Sequence, residues 1–136
     1  KLLAVACNDG SVLVFNMEEG VDEYEWEHQK KVNGISIGAN GVISSGAADE
    51  TLISLDTKTD ELIEISLEEE PVSLKWCGDV LAVTTNFKST YFFDSELEQL
   101  GEIEHESNGL CLAWKDKNTI AVSFQDGSVG WWKLDY

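Results

Sequence analysis

The feature that most constrains this chain is an internal period. Four segments align, 4–16 (AVACNDGSVLVFN), 44–56 (SSGAADETLISLD), 82–94 (AVTTNFKSTYFFD) and 121–133 (AVSFQDGSVGWWK). Their turn positions, Asp9, Asp49, Phe87 and Asp126, are 40, 38 and 39 residues apart, and their closing positions, Asn16, Asp56, Asp94 and Lys133, keep the same spacing. A period of this length marks a stack of small units, none of which can bury its apolar face alone.

Each segment reads as two short strands joined by a tight turn. Asp9-Gly10 and Asp126-Gly127 are hairpin signals, because glycine enters positive φ without a Cβ clash. Two more strands lie between successive pairs. One is acidic and alternating, as in Glu23-Tyr24-Glu25-Trp26-Glu27; the other is apolar, as in Val72-Ser73-Leu74-Lys75-Trp76 and Leu110-Cys111-Leu112-Ala113-Trp114. Helix periodicity is nearly absent, and Leu62 to Leu67 fits alternation better. Pro71 stands just before a strand, where a missing N–H is tolerated. The expectation is an all-β chain of four antiparallel strands per period.

Four strands per 40 residues describes a β-propeller blade, and these periods resemble WD40 repeats. The resemblance covers essentially the whole chain and is best from His28 to Asp56. His28 precedes Val32, then comes Ser45-Gly46-Ala47-Ala48-Asp49, and Leu55-Asp56 stands where the family has Trp-Asp. The resemblance implies a hydrogen-bonded set that braces a blade, here His28, Ser45 and Asp49, with Asp9 and Asp126 at the corresponding turns. Leu55 cannot donate the indole N–H of the family pattern. Phe15-Asn16, Phe93-Asp94 and Trp132-Lys133 hold the Trp-Asp positions of the other repeats, Phe87 replaces a turn Asp, and Glu68 stands where a His would be.

With the strands of a blade labelled a to d from the centre outward, the chain reads b-c-d, a-b-c-d, a-b-c-d, a-b-c. The expected blades are 1–28, 29–68, 69–106 and 107–136. That is about three and a half blades, whereas closed propellers have roughly four to eight. An open stack would expose apolar faces at both ends. The chain also lacks an initiator Met. The expectation is therefore the C-terminal part of a seven-bladed ring, with the remaining half of the propeller as its first partner.

Charge narrows the partners. Nine lysines, no arginine and 26 acidic residues give a net charge of −17. Phosphate recognition needs a basic surface, so direct nucleic-acid binding is not expected. No apolar run is long enough for membrane insertion. The acids concentrate on and beside the d strands, which account for 17 of the 26. Such charge protects exposed strand edges from pairing; it would also attract a basic protein or peptide.

Other constellations are sparse. Cys7, Cys77 and Cys111 are odd in number and lack CxxC spacing. They read as reduced core cysteines of a cytoplasmic or nuclear protein, with no cofactor and no metal. Trp76, Trp114, Trp131 and Trp132 fall at packing positions between blades. Trp26, alternating with glutamates, reads as a partly exposed anchor, and with Glu68, Glu69, Glu70, Lys30 and Lys31 it forms the expected protein-binding set. The a strands offer only Ser36, Ser73, Lys75 and Cys111, too little for an active site. The function expected is that of a non-enzymatic interaction scaffold in an intracellular complex. The alternatives are an architectural propeller of a coat or pore and, behind it, a propeller enzyme.

Overall fold

Alternating apolar residues and short turns leave this chain one economical solution, a series of meander sheets stacked face to face. The computed structural model describes residues 1–135; Tyr136, the end of the expected fourth blade, lies outside them. The described residues form fourteen strands and no helix. The first blade holds β1 (Leu2–Ala6), β2 (Ser11–Asn16) and β3 (Val21–Glu27). The second holds β4 (Val32–Ile37), β5 (Val42–Ala47), β6 (Thr51–Asp56) and β7 (Glu61–Ser66). The third holds β8 (Pro71–Cys77), β9 (Val80–Thr85), β10 (Ser89–Phe93) and β11 (Gln99–Glu104). The fourth holds β12 (Gly109–Asp116), β13 (Thr119–Phe124) and β14 (Val129–Lys133). Each sheet is a simple up-and-down meander with antiparallel neighbours. The fold is that of WD40-type propeller blades, with three, four, four and three strands as the repeat pattern requires.

The repeats share a register. Leu3 pairs with Phe15, Ile43 with Leu55, Leu81 with Phe93 and Ile120 with Trp132. The core lies between sheets, in three layers. Val12, Val14 and Trp26 of the first blade meet Ile43, Ile53 and Leu55 of the second. Leu52 of the second meets Leu74, Leu81, Val83 and Phe93 of the third. Ala82 and Phe92 of the third meet Leu112, Ile120, Val122 and Phe124 of the fourth. Side chains that are fully buried this way contribute roughly 1.5–3 kcal/mol each.

Polar bonds tie the same blades near their inner strands. The Trp76 indole N–H on β8 donates to Ser44 Oγ on β5 at 3.0 Å, and the Trp114 indole donates to the Lys75 carbonyl at 3.0 Å. Ser36 Oγ accepts the Trp76 backbone N–H, and Ser73 Oγ accepts that of Leu112. Two sequence expectations change here. Trp131 is 64% exposed, because the side of the fourth sheet it projects from has no neighbouring blade. Cys111, expected in the core, is exposed beside a register shift in β12.

The turns carry local signatures. Asn16, Asp56 and Asp94 each accept backbone N–H groups of the turn that follows, with Asn16 bound to Glu18, Asp56 to Lys58 and Asp94 to Glu96. Such Asx turns fix how each c strand hands over to the next. Gly10 and Gly127 occupy equivalent b–c turns at φ 98° and 89°; Glu50 adopts φ 68° at the same place in the second blade. A Cβ on Gly10 would lie 2.3 Å from the His28 carbonyl oxygen, whereas one on Gly127 would meet nothing within 4 Å. Gly127→Ala should therefore cost about 1–2 kcal/mol from the left-handed backbone alone. Gly10→Ala should cost clearly more, as compared by urea unfolding midpoints of the two variants.

Candidate protein-interaction face

In a meander of strands a to d, the b–c turn and the loop leaving strand d emerge at the same end of the sheet. The second and third blades therefore bring their d–a loops and b–c turns together at one edge of the stack. Between them runs an open groove of about 1070 Å³. Its walls are Gln29 and Lys30, then Ala48 to Glu50, Glu68 to Glu70, Asn86 to Ser89, and Tyr91, Glu102, Glu104 and His105. Seven carboxylates face two lysines, Lys30 and Lys88. Phe87, which stands where other repeats have a turn Asp, projects half-exposed at the rim with the Lys88 ammonium 5.6 Å from its ring centre.

One wall is held by a single hydrogen-bonded chain. The Trp26 indole N–H donates to Ser45 Oγ at 2.9 Å, and Ser45 Oγ lies 2.7 Å from His28 Nε2. His28 Nδ1 lies 2.6 Å from Thr51 Oγ1, whose hydroxyl donates to Asp49 Oδ1 at 2.6 Å. An indole can only donate and a carboxylate can only accept, so the protons between them run one way. Ser45 O–H donates to His28 Nε2, and His28 Nδ1–H donates to Thr51. The ring is the neutral Nδ1–H tautomer. Asp49 Oδ2 also accepts the Gln29 N–H at 2.8 Å, which pins the d–a loop to the b–c turn.

His28, Ser45 and Asp49 thus meet, with Thr51 as the link between His28 and Asp49. Trp26 is a correction. It is 6% exposed and packs in the first core layer, so it is no surface anchor. The alternation of β3 turns its glutamates outward and Trp26 inward, where it supplies the indole donor that Leu55 lacks. Asp9 and Asp126 hold their own turns, accepting the backbone N–H and hydroxyl of Ser11 and Ser128. These bonds keep both carboxyls below their ordinary range.

The expected binding residues divide. Glu68 is exposed on the groove, as is Lys30; Lys31 is exposed but lies outside the groove walls. Glu69 and Glu70 are half-buried and engaged within the fold. Glu69 accepts from Tyr91 O–H at 2.5 Å and from Thr85 O–H at 3.2 Å. Glu70 accepts from Asn33 Nδ2 at 2.8 Å and Asn86 Nδ2 at 3.2 Å, which joins the second blade to the third. Burial, and then the bond to Glu69, push the Tyr91 phenol up to about 12. Glu102, Glu104, Phe87 and Lys88 complete the groove and were not in the expected set. Strand order places Phe87, Lys88 and Glu104 in or beside the loops of this face, but nothing in the sequence singles them or Glu102 out as binding residues.

The second histidine, His105, which reads in the sequence as a loop brace near the family His position of the last period, makes a network of its own. Ser107 O accepts from His105 Nδ1–H at 2.9 Å, and the Thr90 hydroxyl lies 3.2 Å from His105 Nε2. Thr90 is in turn bonded to Thr84 at 2.9 Å, and the His105 ring packs on Phe124 of the fourth blade with centroids 4.8 Å apart. Val122 stands where Ser45 stands in the second blade, so His105 bonds the blade behind it.

Among the described residues no group of His, Cys, Asp and Glu is placed to hold a metal ion, and no helix is long and apolar enough to cross a membrane.

No protein-family model and no curated protein sequence matches the chain. Solved structures do. The computationally designed Ika4 protein superposes over 98% of this chain with a TM-score of 0.85 at 21% identity, and the designed Ika8 protein with 0.83 at 21% identity. The WD40 repeats of RRP9 superpose over 98% of it with 0.86 at 15% identity. The chain spans 86% of Ika4, but 43% of Ika8 and 44% of the RRP9 repeats.

Burial holds the His28 ring below its ordinary value of 6.5, against the opposing field of Asp49. The unfolded chain then takes up the proton first. The stability that neutral His28 contributes is complete above about pH 6.5 and is lost progressively as the pH falls below it. Burial would raise Asp49, but its bonds from Thr51 and Gln29 together outweigh this and lower it, so its contribution is lost only as the pH falls below 3.8. Denaturant melts between pH 7 and 5 should show the first decline, and His28→Gln should flatten it. Trp26→Phe should cost about 1 kcal/mol for one hydrogen bond, and Trp26→Ala about 3–5 kcal/mol, both read from the same melts.

Proposed function

We propose that this chain, folded as consecutive WD40-type propeller blades, is a non-enzymatic scaffold that binds a basic protein segment on the face made by its d–a loops and b–c turns, within an intracellular multiprotein complex. The observation that carries this reading is the groove between the second and third blades, with its seven carboxylates against two lysines. Glu68, Glu102 and Glu104 are exposed there and carry no engagement comparable to that of Glu69. A lysine- or arginine-bearing peptide would exchange solvent-screened acids for charge-assisted bonds, and Phe87 offers it an apolar and cation–π contact. The polar groups expected on the inner strands support the scaffold reading too, since Ser36 and Ser73 are spent on binding the next blade.

A labelled Lys/Arg-rich peptide, titrated by fluorescence anisotropy, should bind with an affinity that falls as salt rises. Glu68→Lys with Glu102→Lys should weaken it at least tenfold while leaving the melting transition unchanged. Binding that ignores ionic strength, or that survives the double charge reversal, would overturn the assignment.

A further inference from the structure

The four b–c turns carry equivalent residues, and three of them spend one on holding the turn. Asp9, Asp49 and Asp126 each accept the backbone N–H two residues on, from Ser11, Thr51 and Ser128. The third blade has Phe87 at this position, whose side chain offers no acceptor. Its turn is held from outside instead. Thr85 Oγ1 accepts the Phe87 N–H at 3.3 Å, the Phe87 carbonyl accepts the Gly109 N–H at 3.2 Å, and the Lys88 carbonyl accepts the His105 N–H at 2.8 Å. The loop that supplies the last two donors lies tight against the base of the turn, since a Cβ on Gly109 would fall 2.3 Å from Thr84 Cγ2. The blades before and after this turn both belong to the described chain, and Phe87 is still 54% exposed. A fixed backbone thus presents a ring that packs into none of the three core layers.

Acids flank the ring along the chain. Asn86, just before it, donates to Glu70 at 3.2 Å, and Ser89, two residues after it, pairs across β10 and β11 with Glu104. Both carboxylates line the groove. A cation already lies beside the ring, the Lys88 ammonium at 5.6 Å from its centre. Both partners of that contact are exposed, so water competes for the ammonium and the contact is weak. We propose, resting on the groove as a site for basic segments, that Phe87 is its anchor for an arginine side chain, and that Lys88 occupies the ring until the partner's arginine displaces it. A guanidinium is planar and weakly hydrated. It can lie flat on the ring while the N–H groups at its edge donate to carboxylates. A lysine ammonium is a compact, strongly hydrated charge that lacks this flat face. An arginine therefore gains both contacts at once, where Lys88 holds only one. The turn is held in place before binding, so little backbone freedom is lost when the ring is covered. An exposed aromatic side chain on a rigid support is the kind of residue that dominates a protein interface.

Two labelled peptides of equal length and charge test this by fluorescence anisotropy, one with arginine as its only basic residue and one with lysine. The arginine peptide should bind about threefold to fivefold tighter. Phe87→Leu keeps an apolar side chain at an exposed position and should erase that preference, with the melting transition and the salt dependence of binding retained. Lys88→Ala should tighten the arginine peptide, and by less in the Phe87→Leu background than with the ring in place. Equal affinity for the two peptides, or a preference that survives Phe87→Leu, overturns the anchor and leaves the acidic groove standing. A Lys88→Ala gain of the same size with and without the ring overturns the displacement. If neither peptide binds, the groove reading falls and the anchor falls with it.

Discussion

Everything in this structure depends on the burial of one sheet face against the next. A three- or four-stranded meander of this size is apolar on both sides, so no sheet stands alone and each needs two neighbours. That requirement fixes the period of about 40 residues, the shared cross-strand register and the three core layers between four sheets. Polar bonds add to this burial both near the inner strands and, through Trp26, from an outer strand. At the first of these places the inner strands of neighbouring sheets meet, and the part-buried Trp76 indole and the Trp114 indole reach acceptors on the blade before them.

The fold was legible in the sequence because it is repetitive. Fourteen strands and their grouping follow from the repeat and from alternation, and each repeat corroborates the others. The site was legible only where it rests on backbone pattern. The loops that wall the groove follow from strand order, but the roles of single side chains do not. Trp26 alternates with glutamates and reads as a surface residue until the sheet assigns its face; the same alternation that exposes Glu25 buries Trp26. Glu69 and Glu70 are indistinguishable from Glu68 in an acidic run, yet their partners, Tyr91, Thr85, Asn33 and Asn86, come from 15 or more residues away. Local pattern carries no record of such distant pairs. Trp131 was misjudged for the converse reason, since its repeat position is a core position wherever a following blade exists.

The distribution of charge now has more than one cause. Glutamates on the outer strands keep exposed edges from pairing with other strands. Glu69 and Glu70 are structural acceptors that stitch loops and blades together. The remaining acids of the groove face solvent and set its electrostatic field. Charge also varies along the stack, with the third blade the most acidic and the fourth neutral. The two ends are therefore not interchangeable.

The chain of bonds from Trp26 to Asp49 differs from a brace confined to one blade. Its donor sits on the outer strand of the first blade, while its other members belong to the second blade and the loop that enters it. A proton arriving on Nε2 of His28 would have to turn the Ser45 hydroxyl, which also receives the Trp26 indole. Protonation of His28 therefore acts on the seam between two sheets and not within one blade.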